Sequence, residues 1–256
     1  MTNDVSDWWS TAIIDMEPGK ISLRGSPIQD LIGNVSFAEM IWLMVRGDRP
    51  TEPQLHLFEA ALVAAVDHGP QAPSIATARM AVTCGLPLNN AMASAVNMLG
   101  DVHGGAGEQA LELYHYIDEF DGSVEDALAR WSETRGEIIP GFGHRFHKPK
   151  DPRAPRLMEL VEETLEAGAC SGRYARIGAE VETVLTQQKG RPIPMNIDGA
   201  TAVIYAELGF APPLARGLFC LSRSVGILAH AWEEMQKGGR IKGPTPPGYG
   251  WSYTGA

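Results

Sequence analysis

The chain has 256 residues, 44% of them hydrophobic and 20% charged, with a formal net charge of −10. That composition is globular, and it excludes disordered and fibrous classes. The acidic balance argues against nucleic acid or an anionic membrane as a partner, while a small anionic ligand in a locally basic cleft stays possible.

No apolar run approaches the roughly 20 residues that span a bilayer. The first residues, Met1 to Trp9, show neither a basic nor an apolar leader region. Three widely spaced cysteines, Cys84, Cys170 and Cys220, form no zinc-like grouping. Together these features lead us to expect a cytoplasmic protein.

Taken in order, residues 10–25 read as two short extended runs around Glu17-Pro18-Gly19, a small hairpin and the one β signal. The rest reads as helix, so the expected fold class is all-α. Ser36 with Glu39 forms a capping-box pattern before a helix whose apolar face is Phe37, Met40, Ile41 and Met44, ending at Gly47. A second helix opens at Thr51-Glu52-Pro53, with Leu55, Phe58, Leu62 and Val66 on one side, and stops at Asp67-His68-Gly69-Pro70. Helices follow from Ser74 to Gly85 and from Leu88 to about Gly100. Glu108–Phe120 and Val124–Thr134 read as surface helices.

Then comes Ile139 to Arg153, a loop by its Pro140, Gly141 and Gly143, with His144, Arg145, His147, Lys148, Lys150 and Arg153 crowded into ten positions. Amphipathic helices are expected at 155–165 and 177–188. A long helix starts near Pro213, with Leu214, Leu218, Leu221, Val225, Leu228 and Trp232 at steps of four and three. The Pro- and Gly-rich tail carries Tyr249, Trp251 and Tyr253, and its aromatic content suggests that it packs.

Some residues resist a purely structural explanation. Arg223 is the only Asp, Glu, Lys or Arg between Arg216 and Glu233, in a segment apolar on nearly all sides. A buried guanidinium needs an anion, either an internal carboxylate or one from a ligand. Asp198 is the only charge between Arg191 and Glu207. It fits a helix cap equally with a general acid or base whose pKa burial raises. His103 precedes Gly104-Gly105 and a helix, where neutral imidazole is favoured and can donate to a developing oxyanion. His68, at a helix end, suits either the helix dipole or a ligand. The histidine spacings match no metal motif, and no phosphate-binding glycine loop is present, so no metal or nucleotide cofactor is expected.

Gly141-Phe142-Gly143-His144-Arg145 followed by Asp151-Pro152-Arg153 resembles the signature loop of the citrate synthase family. The likeness extends over Gly19–Gly25, Ser36–Glu39, Gly47–Thr51, Asp101–Ala106, Asn196–Asp198 and Ser222–Trp232. It implies a two-domain helical fold, with residues 1–110 and 204–256 in a large dimerisation domain and 111–203 in a small coenzyme A-binding domain. It further implies His103, His144 and Asp198 as the catalytic trio, and His68, Arg153 and Arg223 as holders of substrate carboxylates. Gly141, Gly143, Arg145 and Lys148 would face coenzyme A, whose thioester is the substrate rather than a cofactor.

The short passage from Phe58–Leu62 to Asp67–Pro70 lacks the helical insertion of full-length synthases. It resembles the compact branch of citryl-CoA lyase and the lyase module of ATP-citrate lyase. Where synthases carry an arginine for the partner subunit, this chain has Gly243, with Arg240 and Lys242 beside it. The implied reaction is cleavage of citryl-CoA to acetyl-CoA and oxaloacetate. The alternatives are a citrate or 2-methylcitrate synthase-type condensation, or a catalytically weak acyl-CoA-binding subunit. The implied partners are small molecules, a second copy of the chain and a separate citrate-activating ligase.

Overall fold

The computed structural model describes residues 8–144 and 150–255. Its contacts group into two compact units, residues 1–59 and 60–256.

The first unit opens with β1 (Ile14–Glu17), β2 (Lys20–Leu23) and β3 (Ser26–Pro27), an antiparallel sheet in that order. Glu17 pairs with Lys20 across the Pro18-Gly19 turn, as the hairpin pattern predicts. The third strand is too short to show as alternation and went unpredicted. After the single turn α1 (Ile28–Leu31) comes α2 (Phe37–Arg46). Ser36 Oγ accepts from the Glu39 N–H at 3.0 Å, while the Glu39 carboxylate goes to Arg49. The buried face of α2 is Ala38, Trp42 and Leu43, and Phe37 is 80% exposed. The predicted face is therefore rotated, because Trp42 stacks edge-on against Phe58 and donates to Asp48. The next helix, α3 (Glu52–Ala64), crosses from the first unit's residues into the second's.

The second unit contains α4 (Pro73–Thr83), α5 (Leu88–Val96), α6 (Ala106–Glu119), α7 (Val124–Arg135), α8 (Arg153–Glu166), α9 (Arg173–Lys189), α10 (Ile197–Glu207) and α11 (Pro212–Gln236). Its centre is α10, buried from Gly199 to Ala206 and packed on α6, α8 and α9. A helix apolar on all sides belongs in a core. The Glu207 carboxylate at its end accepts from the N–H groups of Ser171, Gly172, Tyr174 and Ala175, which caps α9 and ties the two helices together.

Three expectations need correction. First, α6 is no surface helix: Ala110, Leu111, Leu113 and Tyr114 are fully buried, since α6 lies against both α10 and α11. Second, the apolar stripe on α11 faces outward except at Leu218. Leu221, Val225, Leu228 and Trp232 are exposed, and the packed face is instead Ala215, Leu218, Ser222, Arg223, Gly226, Ile227, Ala231 and Glu234. Third, Tyr249, Trp251 and Tyr253 are exposed rather than packed. The tail is anchored further back. Ile241 N–H donates to the Thr83 carbonyl, and Lys242 Nζ lies 2.7 Å from the buried Glu234 carboxylate, which also binds Arg79. Lys242 is thereby paired with Glu234 within the chain, although its side chain stays 48% exposed.

No helix among the described residues is long and apolar enough to cross a membrane.

Candidate active site

The site begins at a seam between two loops. Gly141 and Gly143 take positive φ angles of 88° and 72°, which let the loop turn back on itself. The Asn196 N–H donates to the Gly141 carbonyl at 2.9 Å, and the Gly143 N–H to the Pro194 carbonyl at 2.7 Å. Between these bonds Phe142 pairs with Met195 as an antiparallel bridge. Asn196 completes the seam: its Nδ2 donates to the Gly143 carbonyl at 2.6 Å, and its Oδ1 accepts from Asp198 and Gly199 to cap α10. A Cβ on Gly199 would stand 2.4 Å from the Gly141 carbonyl oxygen, so two glycines are needed for the contact. Because His144 follows Gly143 and Asp198 precedes Gly199, one backbone frame sets both groups.

His103 sits in the loop between α5 and α6. The Gly100 N–H donates to the His103 carbonyl at 2.9 Å, and Arg216 grips Asp101 at 2.7 Å, so the loop is held at both ends. The Ser74 backbone N–H at the start of α4 donates to His103 Nε2 at 3.2 Å, and Ser74 Oγ lies 3.0 Å from the same nitrogen. An Nε2 that accepts from an amide carries a lone pair, so the neutral ring has its proton on Nδ1. Burial, and then the positive charge of Arg223, lower the His103 pKa and keep the ring neutral.

Two arginines gather at the end of α3. Arg153 makes two bonds to Asp151, at 2.8 and 3.0 Å, and reaches the Ala64 carbonyl at 3.4 Å. Burial would raise the Asp151 pKa, but the hydrogen bonds and charge of Arg153 prevail and bring it to about 2. Asp151 also accepts from the Ile197 N–H at 3.3 Å, which links this corner to α10.

Arg223 is buried; its Nε donates to the Ala65 carbonyl at 3.1 Å and its guanidinium lies 4.7 Å from the Phe219 ring centre. Among the described residues no carboxylate comes within 4 Å of it. Burial lowers its pKa, opposed by the nearby charges of Asp67 and Asp198. The Asp198 pKa is raised by burial against the pull of Arg153 and Arg223, with Asp151 adding to the rise. The His68 and His144 rings meet edge to face at 5.8 Å.

The structure thus brings His68, His103, His144, Arg153, Asp198 and Arg223 into one neighbourhood, with Gly141 and Gly143 shaping its wall. Arg145 and Lys148 lie outside the described residues. Sequence reasoning missed three positioning groups. Ser74 reads in the sequence only as the start of a helix, and Asn196 only as part of a matched run. Asp151 had a readable signal, since an Asp two residues before an Arg at a helix start can both cap the helix and chelate the Arg. No group of three or more His, Cys, Asp or Glu among the described residues is arranged to hold a metal ion.

A family model described as citrate synthase, C-terminal domain, matches residues 1–64 and 53–245. The structure resembles that of citryl-CoA lyase from Hydrogenobacter thermophilus with a TM-score of 0.87 and 35% identity, covering 97% of this chain and 95% of the other. It shares the fold of ATP citrate lyase from Methanothrix soehngenii, solved with citrate and coenzyme A, with a TM-score of 0.83 and 22% identity over 97% of this chain and 42% of that one. A citrate synthase from Haloferax volcanii is 29% identical over 83% of the chain. The match spans 55% of that relative's length, so the chain corresponds to about half of a curated synthase. The glycine seam, the paired segments that lead to His144 and Asp198, and the match along most of the sequence have one common explanation: the chain belongs to the citrate synthase family.

Proposed function

We propose that this protein is a citryl-CoA lyase, cleaving citryl-CoA or a related 3-hydroxy-3-carboxyacyl-CoA to acetyl-CoA and oxaloacetate. The observation that carries the reading is His103, a neutral imidazole with its Nε2 engaged by Ser74 and its Nδ1–H left to donate. Retro-Claisen cleavage needs such a donor at the thioester oxygen, where negative charge develops.

In this reading His144 takes the proton of the tertiary hydroxyl. The bond between the hydroxyl-bearing carbon and the methylene then breaks, forming the oxaloacetate carbonyl. The electron pair moves onto the thioester oxygen, where His103 Nδ1–H stabilises the enolate. Asp198, whose raised pKa favours the protonated form, gives its proton to the methylene carbon and completes acetyl-CoA. Arg153, Arg223 and His68 hold the substrate carboxylates, and Gly141, Gly143, Arg145 and Lys148 face coenzyme A. The likeness to citryl-CoA lyase, at 35% identity and a TM-score of 0.87, supports the lyase reading over the synthase one.

The same residues serve the reverse condensation, and the test covers both directions. Purified protein is incubated with citryl-CoA, then separately with acetyl-CoA and oxaloacetate, while free coenzyme A and thioester are followed. Release of acetyl-CoA and oxaloacetate from citryl-CoA is expected, falling about 100-fold in His103→Ala. Faster production of free coenzyme A from acetyl-CoA and oxaloacetate would favour the synthase. Inertness in both directions with retained coenzyme A binding would favour a binding subunit. The exposed stripe on α11 supports a homodimer, and light scattering is expected to give twice the mass of the chain; a monomer would contradict it.

A further inference from the structure

The Asp67-His68 corner holds a carboxylate that the proposed chemistry does not use. Asp67 lies near Arg223, a buried guanidinium with no carboxylate within 4 Å among the described residues. Such a charge attracts any carboxylate in reach, because ion pairing offsets its lost hydration. Yet both Asp67 oxygens are turned elsewhere. Oδ2 accepts from the Gly69 N–H at 3.1 Å, and Oδ1 lies 3.2 Å from His230 Nε2 on α11.

Among the described residues His230 makes no other hydrogen bond or ion pair. Its Nδ1 is buried without a hydrogen-bond partner among the described residues. The fold also makes room for this pairing. The Gly226 N–H donates to the Val66 carbonyl at 3.1 Å, and a Cβ at Gly226 would lie 2.3 Å from that oxygen and 2.9 Å from Asp67 Oδ1. The backbone of residues 66–67 is therefore pressed onto α11 one turn before His230.

We propose that His230 is a positioning residue that holds the Asp67 carboxylate away from Arg223, keeping Arg223 open for a carboxylate of the substrate. The inference rests on the reading of Arg223 as an anion holder. Without His230, Asp67 turns onto Arg223 and competes with the substrate. The expected signature is weaker substrate binding with little change in turnover at saturation. Removing the competing charge as well restores binding.

The test uses His230→Leu, His230→Gln, whose amide can still donate to Asp67, and the double variant Asp67→Asn with His230→Leu. Oxaloacetate binding is measured by calorimetry and citryl-CoA cleavage by kinetics, alongside a crystal structure of His230→Leu. Weakening of about tenfold or more in His230→Leu, near-native binding in His230→Gln and recovery in the double variant support the proposal. Unchanged binding in His230→Leu, or a double variant no better than it, overturns it. If the wild type binds no oxaloacetate, the proposed substrate falls, and the crystal structure still decides this point. Asp67 paired with Arg223 in His230→Leu supports the inference, and Asp67 still resting on Gly69 overturns it.

Discussion

Gly141 and Gly199 meet backbone to backbone, whereas the last turn of α3 is met by side chains from far along the sequence. In the first region main-chain bonds and the absence of a Cβ set the positions of His144 and Asp198. In the second, Ser222 Oγ donates to the Leu62 carbonyl, Arg153 to Ala64 and Arg223 to Ala65. These carbonyls lie at the C-terminal end of a helix, where spare acceptor capacity and the negative end of the helix dipole suit such donors. Under the proposed function the contrast follows two tasks. Groups that move protons need their geometry fixed within a fraction of an ångström. Groups that hold carboxylates need charge, and long side chains supply it while also tying the scaffold.

The largest effect is expected where the backbone region has no slack. Gly199→Ala places a Cβ against the Gly141 carbonyl, and denaturant titration is expected to show a loss of about 3 kcal/mol or more. A near-neutral result would break the contrast, since the seam would then tolerate a side chain.

A smaller effect, with a distinctive pH dependence, is expected in the side-chain region. Asp151 has a folded pKa of about 2, below the ordinary carboxylate value of 3.8. A depressed carboxylate pKa contributes stability that is present above the unfolded value and lost as pH falls through the folded one. Asp151→Asn is therefore expected to cost about 2 kcal/mol at neutral pH, with the difference from wild type shrinking as pH drops from about 4 toward 2. A pH-independent cost would show that Asp151 acts through packing rather than through Arg153.

The two regions also differ in how far they could be read beforehand. Gly141, Gly143, Asn196 and Asp198 lie in short runs whose turn residues announce themselves, and the isolated charges Asp198 and Arg223 stood out against apolar surroundings. The contacts of Leu62–Val66 with Ser222–Gly226 join segments about 160 residues apart, and no local pattern encodes such a pairing. The same limit explains α6, whose Glu108, Gln109 and Glu112 gave a polar look to a helix enclosed by α10 and α11. It explains α11 as well, where the regular apolar stripe lies outside and the packed face includes Ser222, Arg223, Gly226 and Glu234. There, small and polar residues are buried because they serve the close approach of α3 and the buried charges.

The smallest stability change, a gain, is expected at Asp198. A carboxyl whose folded pKa is raised contributes stability below its unfolded pKa and loses it as pH rises through the folded value, so the ionised group is a cost at neutral pH. Asp198→Asn removes that cost, and the gain should vanish below about pH 4. The most direct test of the account is the rate of citryl-CoA cleavage by Asp198→Asn, measured with its unfolding midpoint at neutral pH. The account predicts a rate about 100-fold lower or more in a protein at least as stable as the wild type. A wild-type rate in the folded variant would contradict it.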